Sequence, residues 1–503
     1  MNVADGLLAS ARRLPDKVAV LAGGDRTTYG QLAERSGRAA AALQAQGLAP
    51  GDRVALILGN TVAYIEAFYG ALRAGLVVVS VNTQLTEPEL AHILTDCGAR
   101  AVVAGADQRP LIEALRGSLP EVVGVLVAGG DQDLPVGMIG WEVALAAAGE
   151  PTPVDVAEGD FALLQYTSGT TGRPKGAQLT HANLVANHRQ MEQTRLRVEE
   201  GDVVLSVLPL FHIYGLNVAM AFTLSRGATM LLIERFNPAD TLAQVAEHRA
   251  SILIGAPPMY QAWLATPDIA TRDLASVRYA VSGAAPLPRV VLERFAEELH
   301  INIWEGYGLT ETAPVLTSVA MAGEPTPGSV GAPVPGVELR LLDDAGNAVR
   351  PGDPGEVVVR GPNVFSGYWQ QPEATREVLD ADGWFRTGDV GYLDGGQLYL
   401  VDRKRDLIIV SGFNVYPREV EEVLVRHPKV AGAVVIGTPH PYTGECVKAV
   451  VVLRPGQTAT AEEITEFCRT SLARFKIPEV VEFAEALPLL PSGKVKRRDL
   501  RDT

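Results

Sequence analysis

Cysteine is scarce in this 503-residue chain: Cys97, Cys446 and Cys468 are the whole complement. Three thiols without a Cys-x-x-Cys pair give neither a disulfide framework nor a thiolate metal site, and they suit a reducing cytoplasm. Basic residues are also in deficit, with 44 Lys and Arg against 59 Asp and Glu and a net charge of −15. A nucleic-acid backbone would be repelled, so DNA and RNA are excluded as main ligands. A small anion still binds wherever the local charge is positive. Met1-Asn2-Val3-Ala4-Asp5 has neither the basic segment nor the apolar core of a signal peptide. One uncharged run, Val203 to Ser225, is 23 residues long, enough to cross a bilayer. It carries Pro209, His212, Gly215 and Asn217 near its middle. Those residues break helices or place polar groups where lipid offers no partner, so a buried strand, a loop and a buried helix are expected, with no stable membrane span.

What is present is an ordinary globular composition, 47% hydrophobic and 20% charged, with length for about three domains or subdomains. The first third alternates short apolar runs with helical spacing: Val54–Leu58, then Thr61–Ala74, Leu76–Val81, Thr86–Cys97 and Ala101–Ala104. Such alternation predicts crossover units on parallel sheets. It resumes with strands expected at Phe161–Tyr166, Val203–Leu208, Thr229–Ile233, Ile252–Ile254, Tyr279–Ser282 and Ile301–Trp304. From Pro327 to Val401, short strands such as Val337–Leu342 and Glu356–Arg360 sit between Gly, Pro and Asp turns, a β-rich texture. The charged run Asp402-Arg403-Lys404-Arg405-Asp406 marks a surface link. The expected class is therefore α/β: a large domain over 1–403, built of crossover β-α subdomains plus a β-rich one, and a small α+β domain over 404–503. The small domain holds 15 basic and 13 acidic residues, against 29 and 46 in the large one. That contrast suits a lid closing over phosphates.

Tyr166-Thr167-Ser168-Gly169-Thr170-Thr171-Gly172-Arg173-Pro174-Lys175-Gly176 packs four aliphatic hydroxyls, three glycines and two cations into eleven residues after an apolar strand. Glycines let backbone N–H groups approach an anion, hydroxyls donate to it and cations neutralise it, so this is a phosphate-gripping loop. It is not the Gly-x4-Gly-Lys-Ser/Thr loop, because no Gly-Lys-Ser/Thr occurs. The segment resembles the phosphate loop of the adenylate-forming enzymes, the superfamily of acyl-CoA synthetases, peptide-synthetase adenylation domains and luciferases. Further blocks follow in that family's order: Pro209-Leu210-Phe211-His212, Ser282-Gly283-Ala284-Ala285-Pro286-Leu287, Gly306-Tyr307-Gly308-Leu309-Thr310-Glu311, Thr387-Gly388-Asp389, Asp402 to Asp406, Gly412-Phe413-Asn414-Val415-Tyr416-Pro417 and Pro491-Ser492-Gly493-Lys494.

The resemblance implies ATP, Mg²⁺ and coenzyme A as reactants and cofactor, with a small carboxylic acid as substrate, in a cytoplasmic enzyme for which a homodimer is an open arrangement. A carboxylate attacks the α-phosphorus of ATP, pyrophosphate leaves, and the acyl-adenylate then meets a thiol. Crowding those anions calls for cations and a metal. Glu311 and Thr167 are the expected Mg²⁺ contacts, with Thr310 on a phosphate. Tyr307 offers a face to adenine; Gly283-Ala284-Ala285 lacks bulk on the other side, and Gly306 and Gly308 flank that tyrosine. Asp389 and Arg403 would hold the ribose. Thr167, Ser168, Gly169, Thr170, Thr171, Gly172 and Lys175 would hold phosphates. His212 would stand near the carboxylate. Lys494 would reach the carboxylate and phosphate from the small domain, Arg405 would be the pivot, and Gly412, Phe413 and Asn414 would line the passage for pantetheine. Lys496, Arg497 and Arg498 read as surface charge.

The acid should be bound by Tyr214, Val218, Met220, Met259, Tyr260, Trp263, Trp304, Val315 and Leu316, a set without a cation. Malonate-activating relatives place an arginine after the tyrosine of a similar Pro-Pro-Met-Tyr segment, where Gln261-Ala262 stands here. A second carboxylate would lie unpaired, at a cost of several kcal/mol, roughly. The chain also resembles plant-type 4-coumarate:CoA ligases and bacterial fatty-acyl-CoA synthetases. The expectation is a medium- or long-chain fatty acid, with an aryl-propenoic acid as the alternative and loading of a carrier protein in trans as a second one.

Overall fold

The computed structural model describes residues 1–503 except 131–133, 168–173, 268, 322, 404–405, 411–412, 441–443, 470, 489–494, 496, 498–499 and 501–503. Among the described residues four sheets organise the chain. The first is a seven-stranded sheet in the spatial order Met138–Gly140, Gly124–Ala128, Ala99–Gly105, Arg53–Ile57, Val77–Ser80, Phe161–Thr167 and Lys175–Thr180. All neighbours pair in parallel except the last two, which form an antiparallel hairpin. The second has nine strands, with a parallel centre of Val18–Ala22, Thr229–Leu232, Val203–Ser206, Ile252–Gly255, Tyr279–Ser282 and Ile303–Gly308. Antiparallel strands Asp25–Thr28 and Val315–Ser318 border that centre.

Most of the parallel strands are buried on both faces, which is why they are rich in Val, Leu, Ile and Ala. Threonines set many of the helix starts between them. Thr28, Thr61 and Thr180 each accept the backbone N–H three residues on, and Gln31 and Asn183 reach back to complete capping boxes. Helices Ala4–Arg13, Tyr29–Ala45 and Val62–Arg73 share one core with inward faces of both large sheets. The third sheet is an antiparallel meander of Glu338–Leu342, Gly355–Arg360, Phe385–Asp394 and Gln397–Arg403. The fourth, spanning Ile408 to Phe483, has helices Pro417–Leu424 and Ala461–Arg469 against it and a core of its own.

Two expectations needed correction. The strand placed at Ile301–Trp304 runs Ile303–Gly308, so it carries Gly306-Tyr307-Gly308 itself. The Val203–Ser225 run is a strand, a turn and a helix, all within the large domain's packing, but Tyr214–Phe222 is wound as a π-helix. No helix of the described residues is long and apolar enough to cross a membrane.

Candidate active site

The C-terminal ends of the parallel strands of the nine-stranded sheet carry Gly255, Ser282 and Glu305 side by side in register, with Gly306 one residue beyond, at the end where open α/β sheets bind ligands. Beside them lies a cavity that opens to solvent. His212, Gly283, Ala284, Gly306, Tyr307, Gly308 and Thr310 line it near those ends, and Tyr214, Val218, Phe222, Val315, Ile252 and Tyr279 line its apolar part. It follows the strands from Ser282 back to Tyr279, a depth of about 10 Å at the usual rise per residue. Among the described residues, no charged side chain lines it.

The nucleotide candidates converge. Tyr307 donates its hydroxyl to Asp389 Oδ2 at 2.6 Å, and Asp389 is 7% exposed. Asp389 follows Gly388, whose φ of +73° turns the strand, and its N–H donates to Thr387 Oγ1 at 3.1 Å. Arg403 is the register partner of Asp389 across the meander. Gly308 has no room for a side chain, since a Cβ would sit 1.7 Å from the Pro314 carbonyl oxygen. At Gly283 a Cβ would meet the Tyr214 ring at 3.1 Å, so the absence of a side chain there makes room for that ring. Ala284 lines the cavity and holds φ +70°, whereas Ala285 is outside its lining.

On the phosphate side, the hairpin of the seven-stranded sheet closes at the pair Thr167 and Lys175. Segment 366–369 docks on its return strand: Gln178 N–H donates to Gly367 O at 3.0 Å and Trp369 N–H to Gly176 O at 2.8 Å. That docking delivers Tyr368, whose hydroxyl donates to Glu311 Oε1 at 2.9 Å while the Lys175 ammonium lies 5.1 Å from its ring centre. Burial and the Glu311 charge push the Tyr368 hydroxyl up, so it stays a donor. Tyr368 escaped the sequence reading; its one signal was an aromatic pair, Tyr368-Trp369, just after Ser366-Gly367. His212 Nδ1 accepts the Tyr214 N–H at 3.3 Å, which puts the proton of a neutral ring on Nε2. Gln165, also unread, donates to Phe211 O at 3.0 Å and ties the phosphate strand to the His212 turn.

Of the acyl-pocket set, Tyr214, Val218 and Val315 line the cavity, and Met259, Tyr260 and Trp304 do not. Met259 and Trp304 are partly buried and pack against the same core cluster that supplies the apolar lining. Tyr260 and Trp263 are fully buried against the opposite face of the sheet, with Phe295. The Tyr260 hydroxyl donates to the Val281 carbonyl at 2.6 Å, so it braces the wall from behind. Sequence reasoning missed the cavity's other lining, Met191, Thr194, Leu196 and Val198, which comes from a helix end and a loop without a motif. Arg497 is not free surface charge: it pairs with Glu421 at 2.8 Å and is 21% exposed. Ser168, Gly169, Thr170, Thr171, Gly172, Arg405, Gly412 and Lys494 lie outside the described residues, as do the side chains of Arg403, Phe413 and Asn414.

Glu305 precedes Gly306 and is 4% exposed. Burial raises its carboxyl to about 7, against the Leu287 N–H and, more weakly, Arg418, with Glu422 adding to the rise. One oxygen accepts that N–H at 3.1 Å.

The fold and this arrangement define a two-domain adenylate-forming ligase, and the comparisons agree. The AMP-binding enzyme family matches residues 7–369, and the AMP-binding enzyme C-terminal domain matches residues 419–494. The chain belongs to that family, among the AMP-forming acid–thiol ligases that make acyl-CoA. It is 37% identical to a long-chain-fatty-acid–CoA ligase of Bacillus subtilis, over 98% of this chain and 93% of that one. It is 40% identical to a feruloyl-CoA synthase of Amycolatopsis, over 98% and 96%. The crystal structure of the anthranilate CoA ligase AuaEII with anthranoyl-AMP superposes with a TM-score of 0.93 at 30% identity, covering 100% of this chain and 97% of that one.

Proposed function

We propose that this acyl-CoA ligase activates a medium- or long-chain fatty acid. The observation that carries the reading is the cavity: apolar and, among the described residues, without a charged wall residue, it suits an alkyl chain and would leave a second carboxylate unpaired. The acid enters with its carboxylate toward His212 and Thr310. The carboxylate oxygen attacks the α-phosphorus of ATP and pyrophosphate departs. Tyr307 and Asp389, joined by their hydrogen bond, hold the nucleoside. The hairpin residues from Thr167 to Lys175 hold the departing phosphates, and Lys494 brings a further cation to the charge that builds in the transition state.

Glu311 fits a Mg²⁺ site of the kind that takes one carboxylate plus substrate phosphates, because its buried carboxylate is oriented by Tyr368. The ion would neutralise charge on the phosphate oxygens when bound. Among the described residues no cluster of three or more His, Cys, Asp or Glu could hold a metal by itself. For the second half-reaction the small domain turns about Arg405, and the loop at Gly412, Phe413 and Asn414 admits pantetheine. The thiol attacks the acyl carbon, its proton is released, the C–O bond to AMP breaks and the thioester forms.

A second reading, an aryl-propenoic acid, is favoured by the likeness to a feruloyl-CoA synthase and by the Tyr214 and Tyr279 rings in the cavity wall. An AMP-release screen with ATP, Mg²⁺ and CoA over saturated, aryl-propenoic and dicarboxylic acids tests both. Alkyl acids of medium or greater length should give the highest kcat/KM. A ranking headed by aryl-propenoates establishes the second reading; one headed by dicarboxylates overturns both.

A further inference from the structure

The backbone just after Glu311 is held in an unfavourable shape. Ala313 has φ +67°, a left-handed conformation that residues with a Cβ adopt only where their surroundings over-determine it. The surroundings do so here with fully buried amides. Asn363 Nδ2 donates to the carbonyls of Thr312 and Val315 at 2.8 and 3.0 Å. Asn187 donates to Val315 O at 2.9 Å and accepts the Val315 N–H at 3.2 Å. Asn217 Nδ2 donates to Ala313 O at 2.6 Å. All three asparagines have 0% exposure. His188 Nε2 lies 2.9 Å from Asn217 Oδ1, and burial lowers this ring to about 4, so the neutral imidazole donates to the amide oxygen and fixes its orientation.

Asn217 differs from the other two in where it sits. It belongs to the π-helix Tyr214–Phe222, which presents Tyr214, Val218 and Phe222 to the acyl cavity. One helix therefore meets the acid on one side and the Ala313 turn on the other. π-Helical segments are rare and concentrate at functional sites. Pro314 and Val315, beyond the turn, line the cavity again, so the linkage closes on itself.

We infer that Asn217 is a positioning residue that couples the seating of the acid to the placement of the Glu311 carboxylate, through the Ala313 carbonyl. The inference rests on Glu311 being the cation-holding carboxylate of adenylation. It is tested on the full chain by pyrophosphate–ATP exchange with a saturated medium-chain acid at varied MgCl₂, alongside thioester formation from supplied acyl-adenylate and CoA. Asn217→Ala should lower kcat for exchange about 30-fold and raise the MgCl₂ needed for half-maximal rate, while thioester formation stays within about threefold. Adding Ala313→Gly should restore about tenfold of the exchange rate, because glycine holds φ +67° without the Cβ penalty. If Asn217→Ala does not fold, Asn217→Ser, too short to reach the carbonyl, is judged by the same two readouts. Equal slowing of both half-reactions, or no rescue by glycine, overturns the inference. Glu311→Gln separates the two levels. If it exchanges at the wild-type rate, the reading of Glu311 fails and takes the inference with it. If it is inactive while Asn217→Ala exchanges normally, only the inference fails.

Discussion

The proposed nucleotide half and the proposed acyl half of the site are made differently. The nucleotide half consists of short polar segments at strand ends, each doing its work within a few consecutive residues. Gly306 to Glu311 is one continuous example, placing Tyr307 on Asp389 and Glu311 on Tyr368. The acyl half is a cavity between secondary structures, and its lining alternates with core. Ile252, Ile254, Tyr279 and Val281 face it, while Leu253 and Ala280, their neighbours in sequence, face the opposite core. Chemistry common to every acid can be written as contiguous motifs. Choice among acids is distributed over strand faces, a helix and a loop.

The comparison can be broken most severely on its seam. Gly308→Ala would drive a Cβ into the Pro314 carbonyl, and backbone on both sides leaves nothing soft to move. Both half-reactions should be lost, with destabilisation above about 3 kcal/mol in urea melts. Next in size is Lys494→Ala. Pyrophosphate exchange should fall about 100- to 1,000-fold for alkyl and aryl acids alike, with thioester formation from supplied adenylate spared. An effect that depended on the acid would blur the division between the halves.

Val218→Phe should do the reverse. It narrows the cavity without touching the nucleotide, so long acids should lose about 10- to 100-fold in kcat/KM relative to short ones, while the KM for ATP stays unchanged. Equal loss for all acids would show that Val218 does not face the chain. The smallest effect is on stability. Because the Glu305 carboxyl is raised to about 7 by burial, the folded state holds a proton that the unfolded state has released above about pH 4.5. Stability therefore declines as pH climbs from that point to 7. Glu305→Gln keeps the acceptor for Leu287 and cannot ionise. It should be the more stable protein at pH 8, by about 1–3 kcal/mol, and indistinguishable at pH 4 by thermal melts.

The same division explains what the sequence could show. Strands buried on both faces were readable because most residues in them are apolar, and the phosphate, Gly-Tyr-Gly and Thr-Gly-Asp segments were readable because their composition is improbable for a plain turn. Tyr260 and Trp263 misled for a physical reason. Aromatic residues beside a pocket and aromatic residues behind its wall have the same composition, and only the register of a strand face separates them. Tyr368 was hidden because its meaning comes from a long-range docking on the hairpin at Gly176 and Gln178. The π-winding of Tyr214–Phe222 was hidden because apolar spacing over nine residues suits an α-helix as well.

The loop that ends the cavity has one more consequence. Thr194, Leu196 and Val198 point into it, while Arg195, Arg197 and Glu199 between them are exposed to water. On the proposed function, the part of the wall that would limit the acid is thus a stretch of ordinary surface loop. Exchanges at Thr194, Leu196 and Val198 should then alter the accepted acid while leaving Tyr307, Asp389 and Glu311 in place.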